Sequence, residues 1–227
     1  MKQNGFTLAE TLITIGIIGI IAAITLPIII ANKRAIELET ALKKNTSVLQ
    51  QAILRITLED GITPSSANLG YRELKQKIKP YLSILKDCGY GTEFGSCVPN
   101  TSQEANKDAK NTYKTYNKSR NVDYIYFDDG QLLIFDGSLL LLENADYSRT
   151  YISVDVNGYT KGPNVWGQDL FTFAFTKTGK FLPMGAIGTD YADDKIYCST
   201  TSSSSLNGIG CTYKALTEPD YFKKLPR

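Results

Sequence analysis

The sequence predicts an α+β protein: one long N-terminal α-helix, membrane-spanning in its first half and amphipathic in its second, packed on an antiparallel β-sheet domain. Three observations carry this. No charged side chain occurs between Thr11 and Ala31, a run of about 20 residues and long enough to cross a bilayer core as a helix. Beyond it Ala35, Leu38, Leu42, Asn45, Leu49, Ala52 and Ile56 recur at alternating three-four spacing with charges on the other faces, the signature of an amphipathic helix. The second half of the chain then breaks into short β-rich runs separated by Gly and Asx turns.

With 227 residues, the chain has room for one soluble domain of ordinary size in addition to the membrane segment. The formal net charge is +2, too close to balance for a general nucleic-acid binder. Histidine is absent, which removes the usual general base at neutral pH and the commonest metal ligand. Neither a G-x-S-x-G elbow nor a phosphate-cradling glycine loop is present, so no enzyme is expected.

Glu10 enters the apolar run as its one charge. A carboxylate left alone in lipid costs at least about 2.5 kcal/mol, so an intramembrane Glu is a functional candidate whose partner must be found. Proximity to the headgroups and to the positive end of the helix dipole is the plainer account. The leader, Met1 to Gly5, is short and polar, and the apolar run lies too near the start and is too long for an ordinary secretory signal. An Ala22-Ala23 pair offers a conventional cleavage site, although Pro27 and the isoleucine-rich context suit a retained helix better.

Gly5 followed by Phe6-Thr7-Leu8-Ala9-Glu10 resembles the cleavage and methylation signal of type IV prepilins and of type II secretion pseudopilins. The resemblance implies a pilin-like fold, cutting by prepilin peptidase between Gly5 and Phe6, and methylation of the new amine on Phe6. It also implies that Glu10 steers assembly by neutralising that amine on an adjacent subunit, a pair tolerable in low dielectric only when both charges are present. Ala9, Gly16, Gly19 and Ala23 form a small-residue stripe that lets helix backbones approach closely, or are ordinary membrane-helix small residues. Pro27 removes a backbone donor and is expected to kink or loosen the helix; in filaments of the resembling kind, the segment from Gly19 to Pro27 loosens on assembly.

The organisation expected is a leader at 1–5, a transmembrane and filament-core helix at 6–31, its amphipathic continuation at 32–61, and an extracytoplasmic α+β domain at 62–227. The helix stops near Glu59-Asp60-Gly61, with Pro64 beyond, roughly 80 Å from Phe6. Leu74, Ile78, Leu82 and Leu85 predict a second helix, interrupted or restarted at Pro80. From Asp87 to Asn121 a long polar loop is expected, with a short helix around Gln103 to Thr115. Strands are predicted at Tyr124 to Phe127, Leu132 to Phe135, Ser138 to Leu142, Tyr151 to Val156, Leu170 to Thr176 and Phe181 to Met184, with Asp128-Asp129-Gly130-Gln131 as a hairpin signal.

Cys88, Cys97, Cys198 and Cys211 admit three connectivities. Their spacing favours Cys88 with Cys97 and Cys198 with Cys211, and disulfides place the domain outside the reducing cytoplasm. No C-x-x-C knuckle supports zinc. Val154 to Asn157, Gly158, Gly162-Pro163-Asn164, Gly167, Asp169, Phe171 and Phe173 resemble a loop of pilin-like proteins that joins two strands. Its Asp155, Asn157, Asn164 and Asp169 concentrate the hard oxygen ligands that calcium takes, without EF-hand spacing; Asx residues also make tight turns without an ion. No cofactor is required, and calcium is the one candidate. Asp190, Asp193 and Asp194 form a weaker acidic cluster. Lys107, Lys110, Lys114, Lys118 and Arg120, interleaved with Tyr113 and Tyr116, offer charges and rings for a nucleic acid, but a solvated loop is the commoner meaning.

The function expected from the resemblance is a structural subunit, a minor pilin or pseudopilin of a type IV pilus or type II secretion filament. Its partners would be prepilin peptidase, other pilin or pseudopilin subunits, the inner-membrane assembly machinery and the membrane; nucleic acid is not expected. It would be a single-pass protein of the inner membrane before assembly, then part of a periplasmic or cell-surface filament. The alternative is a membrane-anchored extracytoplasmic binding protein, an adhesin or DNA-uptake pilin, for which the helix is only a tether.

Overall fold

A computed structural model describes residues 7–110, 112–146 and 149–226. The chain divides into two compact units, Met1–Glu37 and Leu38–Arg227. Helix α1, Leu8–Asp60, contributes to both and continues through Pro27.

In the first unit the apolar side chains stand out from α1. Ile13, Ile18, Ile21 and Ile24 are all more than half exposed, and the helix has the length and composition to cross a membrane. The threonines of this stretch keep their hydroxyls within the helix. Thr14 donates to the carbonyls of Glu10 and Thr11 at 3.0 and 2.9 Å, and Thr25 to that of Ile21 at 2.9 Å. Internal satisfaction of this kind is what lets a hydroxyl sit on a helix surrounded by hydrocarbon.

In the second unit the remaining part of α1 presents Leu38, Leu42, Asn45, Leu49, Ala52 and Ile56, all buried, the same stripe that the spacing picks out. Each buried aliphatic side chain of this size is worth about 1.5–3 kcal/mol. A hydroxyl–amide contact fastens the helix to the sheet: Ser138 Oγ donates to Asn45 Oδ1 at 3.1 Å, and Lys44 pairs with Asp136 at 2.8 Å in the same turn.

The sheet has six strands: β1 Ile84–Asp87, β2 Gln131–Ile134, β3 Leu139–Asp146, β4 Arg149–Asp155, β5 Leu170–Phe175 and β6 Phe181–Pro183. Its order is β1-β2-β3-β4-β5-β6 and every pairing is antiparallel. This is the predicted α+β meander. Alternation assigns the two faces. Leu139, Leu141, Tyr151, Leu170 and Ala174 meet Trp166, Tyr113, Tyr124, Phe127, Met184 and Ile209 in one core. Leu140, Leu142, Ile152, Val154, Phe171 and Phe173 lie on the opposite face and are equally buried.

Three local predictions are corrected. The second helix, α2, covers only Glu73–Ile78; after a 3₁₀ turn at Lys79–Tyr81 the chain turns extended, and Leu85 lies in β1. Pro80 has no N–H to continue an α-helix, and Ile84 gains a partner in Ile134. Tyr124–Tyr126 is a 3₁₀ turn, not a strand, closed by the Ile125 N–H on the Asp123 carboxylate at 3.2 Å. Asp128 to Gln131 therefore links that turn to β2 and forms no strand hairpin. Among the described residues between Gln103 and Thr115 the helical structure amounts to a 3₁₀ turn at Glu104–Asn106. Asparagine side chains compete with a helix there: Asn100 accepts from the Ser102 N–H, and Asn106 donates to Gly91 O.

Two short helices, α3 Asp194–Tyr197 and α4 Cys211–Thr217, complete the fold. Cys88 is bonded to Cys97 and Cys198 to Cys211.

Candidate functional site

The start of α1 is built by Thr7 and Glu10. Thr7 precedes the first helical residue, and its hydroxyl accepts the Glu10 N–H at 3.3 Å. Glu10 reaches back, and its Oε2 accepts both the N–H and the hydroxyl of Thr7 at 2.8 Å. This reciprocal arrangement is a capping box, which satisfies N–H groups that a helix start leaves without partners. Sequence reasoning treated Glu10 as a lone charge and missed the Thr-x-x-Glu spacing that announces the cap. Gly5 and Phe6, the expected cleavage and methylation positions, lie outside the described residues. Further along α1, a Cβ added at Gly16 or Gly19 would meet no atom within 4 Å. Nothing among the described residues of the chain itself requires these two glycines to be small.

Residues 1–26 match the family model described as Prokaryotic N-terminal methylation motif. The chain carries a type IV prepilin-like signal. No curated protein and no solved structure matches the chain, so the prepilin-like signal stands beside a domain argued from its own geometry.

The connection from β4 to β5 carries all four residues singled out for hard-oxygen chemistry, Asn157 bonded to Asp155 and Asn164 to Asp169. Asp155 ends β4 and Asp169 immediately precedes β5; both are fully buried. Asp155 accepts from the Asn157 and Gly158 N–H groups at 3.2 and 2.8 Å on one oxygen and from the Tyr113 hydroxyl at 2.5 Å on the other. Asp169 accepts from the Asn164 and Val165 N–H groups at 2.9 and 2.7 Å. Burial first, and then the charge of Asp169, raises the Asp155 carboxyl above its ordinary range. Burial and then the charge of Asp155 likewise push the Tyr113 phenol well up.

A second carboxylate group was not foreseen. Asp128, Asp129 and Glu143 place ligand atoms within 4.8 Å of one another. Here the positive charge comes from the protein. Arg72 Nε donates to Asp129 at 2.7 Å while its guanidinium covers the Tyr90 ring at 4.5 Å, and Arg149 lies 3.9 Å from Glu143. The group therefore serves as a structural ion network. Of the other acidic cluster, Asp190 accepts from the Tyr151 hydroxyl at 2.6 Å and Asp194 pairs with Lys214 at 2.7 Å, so these two are spent on separate contacts.

Neither ring singled out in the lysine-rich loop is open for stacking. The Tyr113 and Tyr116 rings are buried, Lys107 pairs with Glu104 at 2.5 Å and Lys114 donates to Asn121. The two disulfide loops face outward in part. In the first, Phe94 is 89% exposed. In the second, Asn117 and Asn207 hold the backbone of the serine-rich stretch through the carbonyls of Ser199, Thr200 and Ser202, while Thr200, Thr201, Ser203 and Ser205 are exposed.

Proposed function

We propose that this chain is a minor pilin or pseudopilin, a structural subunit of a type IV pilus or type II secretion filament. The observation that carries the reading is the methylation motif over residues 1–26, running into an apolar helix whose isoleucines are exposed and whose Gly16 and Gly19 face open space. Apolar surface on this scale must be covered by lipid or by another chain, and small residues are what close helix–helix approach needs.

On this reading prepilin peptidase cuts after Gly5, the Phe6 amine is methylated, and Glu10 of one subunit neutralises that amine on its neighbour during extraction from the inner membrane by an assembly machine. The disulfide-bonded domain lies outside the cytoplasm, where such bonds persist, and its role is structural, not catalytic. The test is the intact mass and N-terminal sequence of the membrane-extracted protein. A mature chain beginning at methylated Phe6 is expected; a chain beginning near Ala23 would overturn the proposal.

A further inference from the structure

The first disulfide loop carries an apolar side chain that its own domain leaves uncovered. Phe94 is 89% exposed at the tip of the loop closed by Cys88 and Cys97. The tip is braced: the Glu93 N–H donates to Tyr90 O at 3.0 Å, and Glu93 Oε2 accepts the Tyr90 N–H at 3.0 Å. Behind the disulfide, the Val98 N–H donates to Gln131 Oε1 at 2.8 Å and Gln131 Nε2 to Val98 O at 2.6 Å. A ring held out on a fixed loop loses little freedom when it is covered, which is what an anchor residue requires. Glu93 beside it is exposed as well and has a second carboxylate oxygen to offer.

The same domain has an open apolar groove. Between the second half of α1 and the β2–β3 turn lies a cavity of about 490 Å³ lined by Val48, Ala52, Ile134 and Phe135. A cavity of about 150 Å³ already admits benzene. Two cations stand on this groove, Lys44 and Arg55. Lys44 pairs with Asp136 at 2.8 Å, whereas Arg55 is exposed and has no carboxylate within ion-pair distance among the described residues. A phenyl ring with a carboxylate beside it is the complement of an apolar groove with a guanidinium beside it.

Phe94 does not reach the groove of its own chain. Its loop leaves β1 at Asp87, whereas the groove lies where β1 begins, beside the bond from the Phe135 N–H to Ser83 O at 2.9 Å. The four residues of β1 put about 13 Å between the two ends, and the disulfide and Gln131 hold the loop at its own end. Ring and groove therefore meet only between molecules. Because they occupy opposite ends of one strand pair, a copy that gives its ring to one neighbour still has its groove open to another. Such a contact is heterologous and propagates as a ring or an open filament.

We propose that Phe94 of one copy seats in the groove between α1 and the β2–β3 turn of a second copy, with Glu93 set against that copy's Arg55. One aromatic side chain buries about 150–250 Å², far below what a stable interface between free proteins needs. The contact therefore acts between copies already held side by side, where effective concentration takes the place of affinity. It rests on the filament reading, which supplies that setting, and names one contact within it.

In the test, Phe94 of the full chain is replaced by the photoreactive p-benzoylphenylalanine, and native membranes and sheared filaments are irradiated. N-terminal sequencing of the same preparation reports separately on the filament reading. Expected are a band at twice the chain mass and cross-linked peptides that join position 94 of one copy to the groove of another, at 48–55 or 134–136. Arg55→Glu lowers the yield about fivefold or more by setting like charges together, and Glu93→Lys added to it restores the yield. Absence of a second-copy adduct, an adduct away from the groove or on another protein, or a yield indifferent to both charges overturns the proposal. With a chain beginning at Phe6, such a result leaves the filament reading standing; a groove adduct on a chain beginning near Ala23 supports the contact and removes the filament. Glu93, Phe94 and Arg55 are all exposed, so the substitutions leave the core intact.

Discussion

Thr7 gives both its backbone N–H and its hydroxyl to the same oxygen of Glu10, Oε2, each at 2.8 Å. The carboxylate proposed to recruit a neighbouring subunit therefore already has a partner in its own chain. These contacts fall on one oxygen, and a carboxylate has two. Capping and intermolecular pairing can coexist on Glu10, and they are separable by substitution.

Glu10→Gln retains an oxygen for the Thr7 contacts but removes the charge, whereas Thr7→Ala removes the cap and keeps the charge. Glu10→Gln and Glu10→Val are both expected to remain in the membrane and to be absent from sheared filaments in an immunoblot. Thr7→Ala should weaken the helix start by about 0.5–2 kcal/mol and still be incorporated. Native-level incorporation of Glu10→Gln would mean that charge is not what the neighbour recognises.

Acid sensitivity is expected at the junction of α2 and β1. Burial acts to raise the Asp87 carboxyl, but hydrogen bonds from Lys75 and Lys79 and from the Gly89 N–H outweigh it and lower its pKa to about 2. The unfolded value is about 3.9. The stability that Asp87 contributes is therefore complete above about pH 4 and is lost as pH falls through about 2. Urea unfolding between pH 2 and 5 should show a slope in this window that Asp87→Asn reduces. The carboxylate is about one-third exposed, so solvent screening keeps the effect modest.

Trp166, the chain's one tryptophan, is fully buried and donates from Nε1 to Thr172 Oγ1 at 2.8 Å. Its fluorescence should be blue-shifted and poorly quenched by iodide. Gly208 lies against it at φ +115°, where an added Cβ would fall 2.6 Å from the Trp166 backbone carbonyl oxygen. Gly208→Ala is expected to cost more than about 1–3 kcal/mol, the ordinary range for overpacking, and to shift the emission to the red. An unchanged spectrum and melting temperature would contradict this packing.

The Cys198–Cys211 bond closes a loop of 13 residues in sequence separation around the serine-rich stretch. Replacing both cysteines with serine should cost about 3 kcal/mol through the freedom returned to the unfolded chain. Because Asn207 Oδ1 accepts from the Ser199 N–H at 3.0 Å while its Nδ2 donates to Ser199 O at 2.7 Å, the Ser199 amide should stay protected in hydrogen exchange when the bond is absent. Loss of that protection would show that the bond alone orders the loop.

What the sequence revealed and what it hid follow a physical division. The stripe from Leu38 to Ile56 and the strands from Leu132 onward were legible because periodicity reports burial directly, and β2 to β6 are bounded by Gly and Asx turns. Leu85 was misread because Leu82 and Leu85 continue a helical spacing while a distant partner, Ile134, claims the segment for the sheet. The aromatic run Tyr124 to Phe127 has strand-like composition, yet Tyr124 OH is spent on the Thr112 and Tyr113 N–H groups, which holds the run in a turn. At the candidate sites, residue types located the β4–β5 loop. The backbone N–H groups that Asn157, Gly158, Asn164 and Val165 turn onto the two buried carboxylates are a property of the folded backbone.

Each strand of the sheet is bonded to the strand that precedes it in the chain, and each disulfide joins cysteines only 9 or 13 residues apart. From β2 onward, a polypeptide delivered residue by residue can therefore complete each strand pairing and each oxidation from the segment just released, whereas β1 must wait through the residues between Asp87 and Gln131 for its partner. Refolding of the reduced protein should accordingly gain little from a disulfide isomerase, whose task is to correct mismatched distant cysteines.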